Sequence, residues 1–335
     1  MAVCWHSIGP RLMKHNISYY DFYEHLDNDH DDILYGLTNS KQKKINSKYF
    51  YNELGSDLFD KITKLEDYYP TKKELQIIDD NNEKFYQMLP SNSLVIEFGS
   101  GSNIKIKKLL KALNNPEEYI AIDICREFLF KNAEDSAKKF PDLKVKAVCA
   151  DFAQIGLLKK LIDNDKSKIG FFPGSTIGNY TPEKAKILLS NFSKILGKDN
   201  FLIIGVDLKK DIEILERAYN DSEGITARFN KNILNGINNI CGNSFDEEDF
   251  DHKAFFNRNE SRIEMHLVSK KDQTIDILDK KIYFQRGESI HTESSYKYSI
   301  ESFKNLAESA NFDTVKVLHD SKLFFSVFFL RVKSY

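Results

Sequence analysis

Residues 93–102 read SLVIEFGSGS, and this stretch decides the fold of the 335-residue chain. Its first six residues form a short, mainly apolar run of the kind that makes a buried β-strand. The run is followed by Gly99 and Gly101, which let the backbone turn tightly and approach a ligand closely. A helix that begins after such a turn can direct its N-terminal N–H groups at polar parts of a ligand. The stretch therefore predicts a strand, a ligand-binding turn and a helix, in that order.

Further apolar runs come after this first strand, and segments with helical periodicity separate them. The runs are 118–124, 145–152, 169–174 and 200–208, and the helical segments are 103–114, 126–139, 154–164 and 182–197. Alternation of helices with continuously apolar strands is typical of a parallel sheet that is covered by helices on both faces. The sequence therefore predicts an α/β domain built on a parallel sheet.

The alternation ends after residue 209, and a different pattern begins. Residues 210–240 show helical periodicity, and three later segments read as β-strands joined by polar turns: 261–269, 274–284 and 288–298. A last helix is predicted at 299–310, with Ser299 as its cap, and two β runs lie within 315–332. Near the start of the chain, Thr71 and Glu74 match a capping box, which predicts that a helix begins there.

These patterns divide the chain into two predicted domains. The parallel-sheet domain comprises residues 70–209 and 298–335, and a second, α+β lobe that binds the substrate comprises residues 17–69 and 210–297. Residues 1–16 are expected to be a disordered lead.

Composition limits the class of protein. The chain has 48 Lys and Arg against 50 Asp and Glu, a net charge of −2, which argues against a nucleic-acid partner. No apolar stretch approaches the roughly 18 residues of a membrane span. The four cysteines are far apart in sequence, which predicts free thiols in a reducing compartment, the cytoplasm. Neither they nor His266 and His291 show metal-ligand spacing, so no metal is expected.

The glycine turn narrows the choice of ligand. A dinucleotide fingerprint would need a third glycine where Ile104 stands, and no phosphate-binding GxxxxGK[ST] loop occurs. A GxG turn after the first strand, preceded by the acidic Glu97, instead resembles the S-adenosylmethionine-dependent methyltransferases of the Rossmann-like class I fold. Their sheet typically ends in an antiparallel hairpin, which the β runs within 315–332 suit.

The resemblance implies where the cofactor S-adenosylmethionine binds. Three carboxylates end three successive predicted strands, at the edge where such folds bind ligands. Asp123 is positioned to accept both ribose hydroxyls, and Asp151 and Phe152 to contact the adenine amino group and ring. The full implied cofactor set is Glu97, Gly99, Ser100, Gly101, Asp123, Asp151 and Phe152. The alternative is that Asp123 and Asp151 only cap helices.

Longer motifs carry a more specific resemblance. They are residues 49–60, 68–71, 171–179, 218–221, 224–230 and 291–298. They resemble the family of histidine-specific α-N-methyltransferases, and the resemblance runs from about residue 45 to the C-terminus. This family methylates histidine three times to hercynine, on the path to ergothioneine, while fungal relatives methylate a prenylated tryptophan. The resemblance implies a monomeric enzyme with S-adenosylmethionine as its cofactor, S-adenosylhomocysteine as its by-product and free L-histidine as its substrate.

The family motifs also imply residues for the amino acid end of the substrate. Asn179 matches the residue that holds the carboxylate, with Tyr219 as its partner. Tyr69 and the backbone at Gly174 match positions on the amine side. The sequence shows no dedicated general base, and because the ammonium must lose a proton before it reacts, we expect that proton to leave to water through Tyr69 or Tyr51. The alternative for Asn179 is a turn residue, since Gly-Asn before Thr-Pro is turn chemistry.

The ring end combines the resemblance with strand geometry. Glu293 and Ser295 are two residues apart on a predicted strand, so their side chains point to the same face. A carboxylate and a hydroxyl suit the two nitrogens of imidazole, one of which donates while the other accepts a hydrogen bond. Met265 matches the family residue beside the ring. The alternatives are a solvated strand face for Glu293 and ordinary core packing for Met265.

Two other functions compete with histidine methylation. One is methylation of a tryptophan derivative or another amine by the same fold. Because indole has no ring acceptor, Glu293, Ser295 and Met265 argue against it. The other is a non-catalytic S-adenosylmethionine-binding scaffold, against which the retained substrate-end residues argue.

Overall fold

The computed structural model describes residues 16–22, 28–39, 41–152, 155–162, 165–242 and 244–334. The strands are β1 Ile17–Asp21, β2 Lys43–Lys44, β3 Leu94–Phe98, β4 Glu118–Asp123, β5 Lys144–Cys149, β6 Lys168–Phe172, β7 Phe201–Asp207, β8 Phe250–Asn257, β9 Arg262–Ser269, β10 Gln273–Ile277, β11 Lys280–Phe284, β12 Ser289–Tyr296, β13 Phe312–His319 and β14 Phe325–Val332. The helices are α1 Asn28–Thr38, α2 Glu53–Ile62, α3 Tyr69–Asp80, α4 Asn82–Met88, α5 Ile104–Ala112, α6 Arg126–Lys139, α7 Ile155–Ile162, α8 Pro182–Leu196, α9 Ile212–Arg217, α10 Ile225–Cys241 and α11 Ile300–Ser309. The predicted lead, residues 1–16, lies outside the described residues except for Asn16.

An eight-stranded sheet forms the larger part of the molecule. Its strand order is β1-β5-β4-β3-β6-β7-β14-β13, and all neighbours pair in parallel up to β7. The last two strands form an antiparallel hairpin against β7. All residues of β3 and β6 are buried, because helices cover both faces of the sheet. The predicted parallel sheet with a closing hairpin is therefore confirmed.

The first strand departs from the predicted division of the chain. The sequence pattern assigns residues 17–69 to the second lobe, but β1 pairs in parallel with β5 at the edge of the large sheet. The Asn16 amide supports this position, because it donates to the carbonyls of Ala137, Phe140 and Leu143. The residues of β1 give no sign of this pairing, because the partner strand β5 lies more than a hundred residues further along the chain.

Helix starts and breaks show a second set of differences. The capping box predicted at Thr71 is wrong: α3 begins at Tyr69 with Pro70 in its first turn, and Glu74 is fully buried. The Glu74 carboxylate instead accepts the N–H of Gly174, a partner that local sequence does not reveal. The segment 210–240, predicted as helical throughout, is divided into α9 and α10 by a loop.

A smaller sheet and a separate core make up the rest of the molecule. The order of its four strands is β2-β12-β9-β8, and the sequence analysis does not predict β8. A separate hairpin is formed by β10 and β11. One hydrophobic cluster joins residues 33–69 with residues 215–290, apart from the two clusters on the faces of the large sheet. The two segments, β1 excepted, therefore share one hydrophobic core. Among the described helices, none is long and apolar enough to cross a membrane.

Candidate active site at the carboxyl edge of the large sheet

The turn after β3 leaves open space for a ligand. Gly99 has a φ of +76°, a left-handed conformation that favours glycine. The N–H groups of Gly99 and Ser100 both donate to the carbonyl of Ile122 at 2.9 Å, which holds the turn against β4. A Cβ atom added at Gly101 would meet no heavy atom within 4 Å. The turn therefore leaves backbone surface free for a ligand.

Glu97 lies beneath this turn rather than in open space. It is buried, and the Tyr119 hydroxyl donates to its carboxylate at 2.5 Å. Burial raises the pKa of Glu97 to about 8, although Tyr119 and Ser100 oppose the shift. The side chain thus belongs to a short hydrogen-bonded chain that supports the turn, since the Ser100 and Tyr119 hydroxyls lie 3.1 Å apart.

Asp123, Asp151 and Phe152 follow or end β4 and β5, at the same edge of the sheet as the glycine turn. Asp123 accepts the N–H of Cys125 at 2.9 Å, which supports the turn before α6, but no side chain caps the first N–H groups of that helix. Burial raises the pKa of Asp123 to about 6. The Phe152 ring lies 3.6 Å from the position of a Cβ on Gly99. The pKa of Tyr180 is raised mainly by burial and secondly by the charge of Asp151, so these two residues lie near each other.

A buried charge cluster lies at the end of β7. The Asp207 carboxylate pairs with Lys210 at 2.5 Å and with Lys297 at 2.7 Å, and all three side chains are almost fully buried. The Tyr69 hydroxyl donates to Asp207 at 2.8 Å and accepts from Lys210 at 2.7 Å. Burial would raise the pKa of Asp207, but Lys297 and Lys210 outweigh it and lower that pKa. Burial lowers the pKa of Lys210 to about 8.

This cluster connects directly to the predicted substrate residues. Lys297 donates to Ser295 Oγ at 2.8 Å and to Tyr219 Oη at 3.2 Å. The Tyr219 hydroxyl in turn donates to Ser295 Oγ at 2.8 Å. The structure therefore brings Tyr69, Tyr219 and Ser295 together around one charged centre that the sequence does not reveal.

Glu293 lies beside this network. No described residue forms a hydrogen bond or ion pair with its carboxylate, and burial raises its pKa to about 7 while Lys297 opposes the shift. Met265 is its direct cross-strand neighbour on β9. The pKa of Tyr51 is raised mainly by burial and secondly by the charge of Glu293, and the charge of Asp123 raises it further. Tyr51 is therefore close enough to feel the charges of both Glu293 and Asp123.

The loop after β6 carries Gly174 and Asn179. The Gly174 N–H donates to both oxygens of Glu74, at 3.1 and 2.9 Å, so only its carbonyl is left for a ligand. Gly178 packs closely on β12: a Cβ there would lie 2.9 Å from the Tyr296 carbonyl oxygen. Asn179 ends a short 3-10 helix, is half-buried, and its amide bonds to no described residue.

Four polar residues of this region are not evident from the sequence. They are Glu74, Asp207, Lys210 and Lys297. Lys297 could have been predicted from the sequence, because it follows Ser295 by two residues and alternation along a strand places both on the same face. Glu74 carries none: its partners are Gly174 and Lys105, the latter at 2.7 Å.

A possible metal-binding group lies outside this site. Ligand atoms of Glu264, His266 and His291 lie within 4.8 Å of one another, although the sequence spacing of the histidines does not suggest it. The groups are already bonded: His266 pairs with Glu264 at 3.0 Å, and Arg262 pairs with the same carboxylate at 2.7 Å. Burial lowers the pKa of His291 to about 4. The geometry of this group is explained by these internal bonds.

A cavity of about 540 Å³ opens beside the site. Its lining includes Tyr51 and Asn52 from the smaller part of the molecule and Ile124, Cys125 and Arg126 from the residues after β4. The cavity therefore runs along the residues after Asp123, between the two parts of the molecule. Glu293 and Asn179 do not line it, so it adjoins the predicted cofactor region rather than the ring end of the substrate site.

Known proteins resemble this chain over most of its length. A sequence profile described as a histidine-specific, SAM-dependent methyltransferase matches residues 29–332. Histidine N-alpha-methyltransferase of Mycolicibacterium smegmatis is 36% identical over 277 residues, which cover 81% of this chain and 84% of that protein. Ergothioneine biosynthesis protein 1 of Neurospora crassa is 30% identical over 79% of this chain and 30% of that protein. The 4-dimethylallyltryptophan N-methyltransferase of Aspergillus fumigatus is 25% identical over 86% of this chain and 88% of that protein. The chain therefore belongs to the family of histidine-specific, S-adenosylmethionine-dependent methyltransferases.

Proposed function

We propose that the protein transfers methyl groups from S-adenosylmethionine to the α-amine of free L-histidine, successively to the trimethylated product hercynine. The observation that carries this proposal is the ring end of the site. There the Glu293 carboxylate has no described partner and stands beside the Ser295 hydroxyl on β12. An acceptor and a donor side by side match the two nitrogens of a neutral imidazole.

The other substrate contacts follow from the same geometry. Asn179 has an uncommitted amide, and Tyr219 has a hydroxyl that can turn from Ser295 to a ligand. We assign these two groups to the substrate carboxylate, because a buried carboxylate requires hydrogen-bond donors. The Gly174 carbonyl and the Tyr69 hydroxyl are assigned to the amine, for which both offer acceptor oxygens.

Tyr69 and Tyr51 are proposed to act on the amine by position. S-adenosylmethionine, when bound, supplies an electrophilic methyl group on a sulfonium. Burial, followed by the charge of Asp207, holds the pKa of Tyr69 far above its usual range, so the phenol stays protonated. Its oxygen can still accept a hydrogen bond from the amine and direct the nitrogen lone pair. Positioning of this kind supplies much of the rate in a transfer between two bound groups.

The ring contacts also separate histidine from the competing substrate. An indole has one N–H and no ring acceptor, so it would leave the Ser295 hydroxyl unpaired in a buried site. An unpaired buried polar group costs about 1–3 kcal/mol. A prenylated tryptophan would in addition require space where Met265 is packed in the core, with 2% of its surface exposed.

A mass-spectrometric assay tests the substrate assignment. Purified protein is incubated with S-adenosylmethionine and each free amino acid, including tryptophan derivatives. Histidine alone is expected to gain one, two and three methyl groups, because it alone presents both a ring donor and a ring acceptor. Methylation of a tryptophan derivative with histidine untouched would contradict the proposal while leaving the family membership intact.

The predicted cofactor contact of Asp123 is tested by two variants. Asp123→Ala is expected to weaken S-adenosylmethionine binding about 10- to 100-fold, since hydrogen bonds to a charged group contribute about 1.5–3 kcal/mol. Asp123→Asn keeps an oxygen that can accept the Cys125 N–H and therefore serves as the control for the turn. Titration calorimetry measures both affinities. Equal affinity in Asp123→Ala and the unaltered protein would leave Asp123 with its bond to the turn before α6 alone.

We also infer that the protein works in the cytoplasm as a monomer. Cys125, Cys149 and Cys241 are free thiols, as expected in a reducing compartment. Gel filtration with light scattering measures the assembly state, and a dimer would contradict the inference.

A further inference from the structure

Lys297 occupies a position that links the charge cluster to the ring end. Its side chain is completely buried, and its ammonium donates to three oxygens: Asp207 Oδ2 at 2.7 Å, Ser295 Oγ at 2.8 Å and Tyr219 Oη at 3.2 Å. A lysine ammonium has three N–H donors and no acceptor. All three donors are therefore in use, and Lys297 has none left for a ligand.

These bonds determine where the neighbouring hydroxyl protons point. Ser295 Oγ accepts from Lys297 and also from the Tyr219 hydroxyl, at 2.8 Å each. A serine hydroxyl has two acceptor positions and one proton. The bond from Lys297 remains when the Tyr219 hydroxyl turns to the substrate carboxylate. Because an ammonium cannot accept a hydrogen bond, the Ser295 proton points away from Lys297 and stays available for a ligand. No described residue accepts its proton, and Glu293 stands two residues away on the same strand.

We propose that Lys297 is a positioning residue for ring specificity: it fixes Ser295 as a hydrogen-bond donor, so that the site takes a neutral imidazole. The unprotonated ring nitrogen accepts from Ser295, and the other nitrogen donates to Glu293. This inference rests on the proposed function and adds a residue that acts on the substrate only through Ser295. An imidazolium has two ring N–H donors and no acceptor, so one of its N–H groups would face the Ser295 proton and could not bond to it.

A second lysine in the same cluster provides a matched control. Lys210 also pairs with Asp207 and is also buried, but it contacts Tyr69 and not Ser295 or Tyr219. Replacing either lysine with methionine removes one positive charge and leaves Asp207 with one lysine partner. The two variants remove the same charge from Asp207, but they differ in whether Ser295 keeps its cationic donor and in the charge that acts on Glu293. A histidine analogue that lacks only the acceptor nitrogen keeps the N–H that faces Glu293, so comparing it with histidine isolates the bond from Ser295.

The test measures preference between ring analogues. Histidine is compared with 2-pyrrolylalanine and 3-pyrrolylalanine, in each of which one ring nitrogen is replaced by carbon. Binding to the protein saturated with S-adenosylhomocysteine is measured by titration calorimetry. Lys297→Met is expected to lower the preference for histidine over the analogue that lacks the acceptor nitrogen by about tenfold, the scale of one hydrogen bond. Lys210→Met is expected to retain the preference.

Further variants make the outcome decisive. Adding Ser295→Ala to Lys297→Met should not lower the preference for histidine any further, because without Lys297 the Ser295 hydroxyl proton is no longer held toward the ring. If Lys297→Met does not fold, Lys297→Gln replaces it, since its amide can still donate to Ser295 and should keep part of the preference. An unchanged preference in Lys297→Met, or an equal loss in Lys210→Met, would overturn the inference. Failure of the unaltered protein to bind or methylate histidine would instead overturn the proposed function.

Discussion

Replacing Glu293 with alanine is expected to lower kcat/KM for histidine by about three orders of magnitude, since a site built to hydrogen-bond a substrate N–H discriminates strongly when that bond is lost. The ring N–H of histidine would then enter a buried site without an acceptor. Steady-state kinetics with histidine measures the loss. S-adenosylmethionine affinity should stay unchanged, because Glu293 belongs to β12 and not to the glycine turn.

Glu293→Gln is the matched control, because its amide oxygen can still accept the ring N–H without the charge. A loss of about tenfold is expected, the difference between a charged and a neutral acceptor. Equal kinetics in Glu293→Ala and the unaltered protein would remove Glu293 from the substrate site and leave it as a strand-face residue.

The pH dependence follows from the same carboxyl group. Burial raises the pKa of Glu293 from 4.5 to about 7, so the folded protein binds an extra proton between these values. Stability therefore falls as pH rises through this window, and above it the buried charge remains a cost. Glu293→Gln, which does not titrate, should melt at a higher temperature than the unaltered protein at about pH 8 and show no such gain near pH 4.5. KM for histidine in the unaltered protein should rise as pH falls below about 7.

Asp207→Asn is expected to destabilise the fold by about 3–5 kcal/mol, because it leaves buried ammonium groups without their counter-charge. Lys210 and Lys297 both pair with this carboxylate, and their side chains are 4% and 0% exposed. For a chain of 335 residues the loss corresponds to a fall in melting temperature of about 4–7 °C. Calorimetric unfolding measures it.

A second substitution should recover the stability of that variant. Asp207→Asn with Lys210→Met leaves one buried ammonium, the same net charge as the original cluster, and most of the melting temperature should return. Asp211→Asn is the control for the loss of a carboxylate, since Asp211 is exposed and asparagine can still cap α9. A melting temperature for Asp207→Asn like that of Asp211→Asn would contradict the cluster's role.

The acid dependence of this cluster has the opposite sign to that of Glu293. Burial opposes ionisation of Asp207, but Lys297 and Lys210 outweigh it, so its pKa is below the usual value. The pairing therefore stabilises the fold above the ordinary pKa of an aspartate, and the contribution is lost as pH falls through the lowered pKa. Asp207→Asn should remove that part of the acid dependence.

The residues proposed to bind the cofactor could be recognised in the sequence, because each of the patterns that identify them lies within a single short segment. Residues 93–102 combine a continuous apolar run with two glycines, and Asp123 and Asp151 follow apolar runs of their own. Parallel strands bring their carboxyl ends to one edge, so order along the chain is enough to place these groups near one another. The pairing of Glu293 with Ser295 was accessible for the same reason, since strand alternation needs only two residues of spacing.

The buried polar partners could not be predicted in this way. Glu74 resembles a capping residue because it follows Thr71 by three positions, yet its carboxylate accepts the N–H of Gly174, a hundred residues away. The difference arises because a carboxylate can be buried only where donors meet it, and those donors come from another part of the chain. Local spacing carries no information about them.

Periodicity and spacing within single segments were enough to establish the parallel sheet, the glycine turn, the acids at the strand ends and the presence of Glu293 and Ser295 on one strand. The place of β1, the roles of Glu74 and Asp207, and the bonds by which Lys297 orients Ser295 depend on the folded arrangement instead. The physical reason is that apolar periodicity reports which face of an element is buried, whereas a buried charge is stable only through partners that folding brings from distant segments.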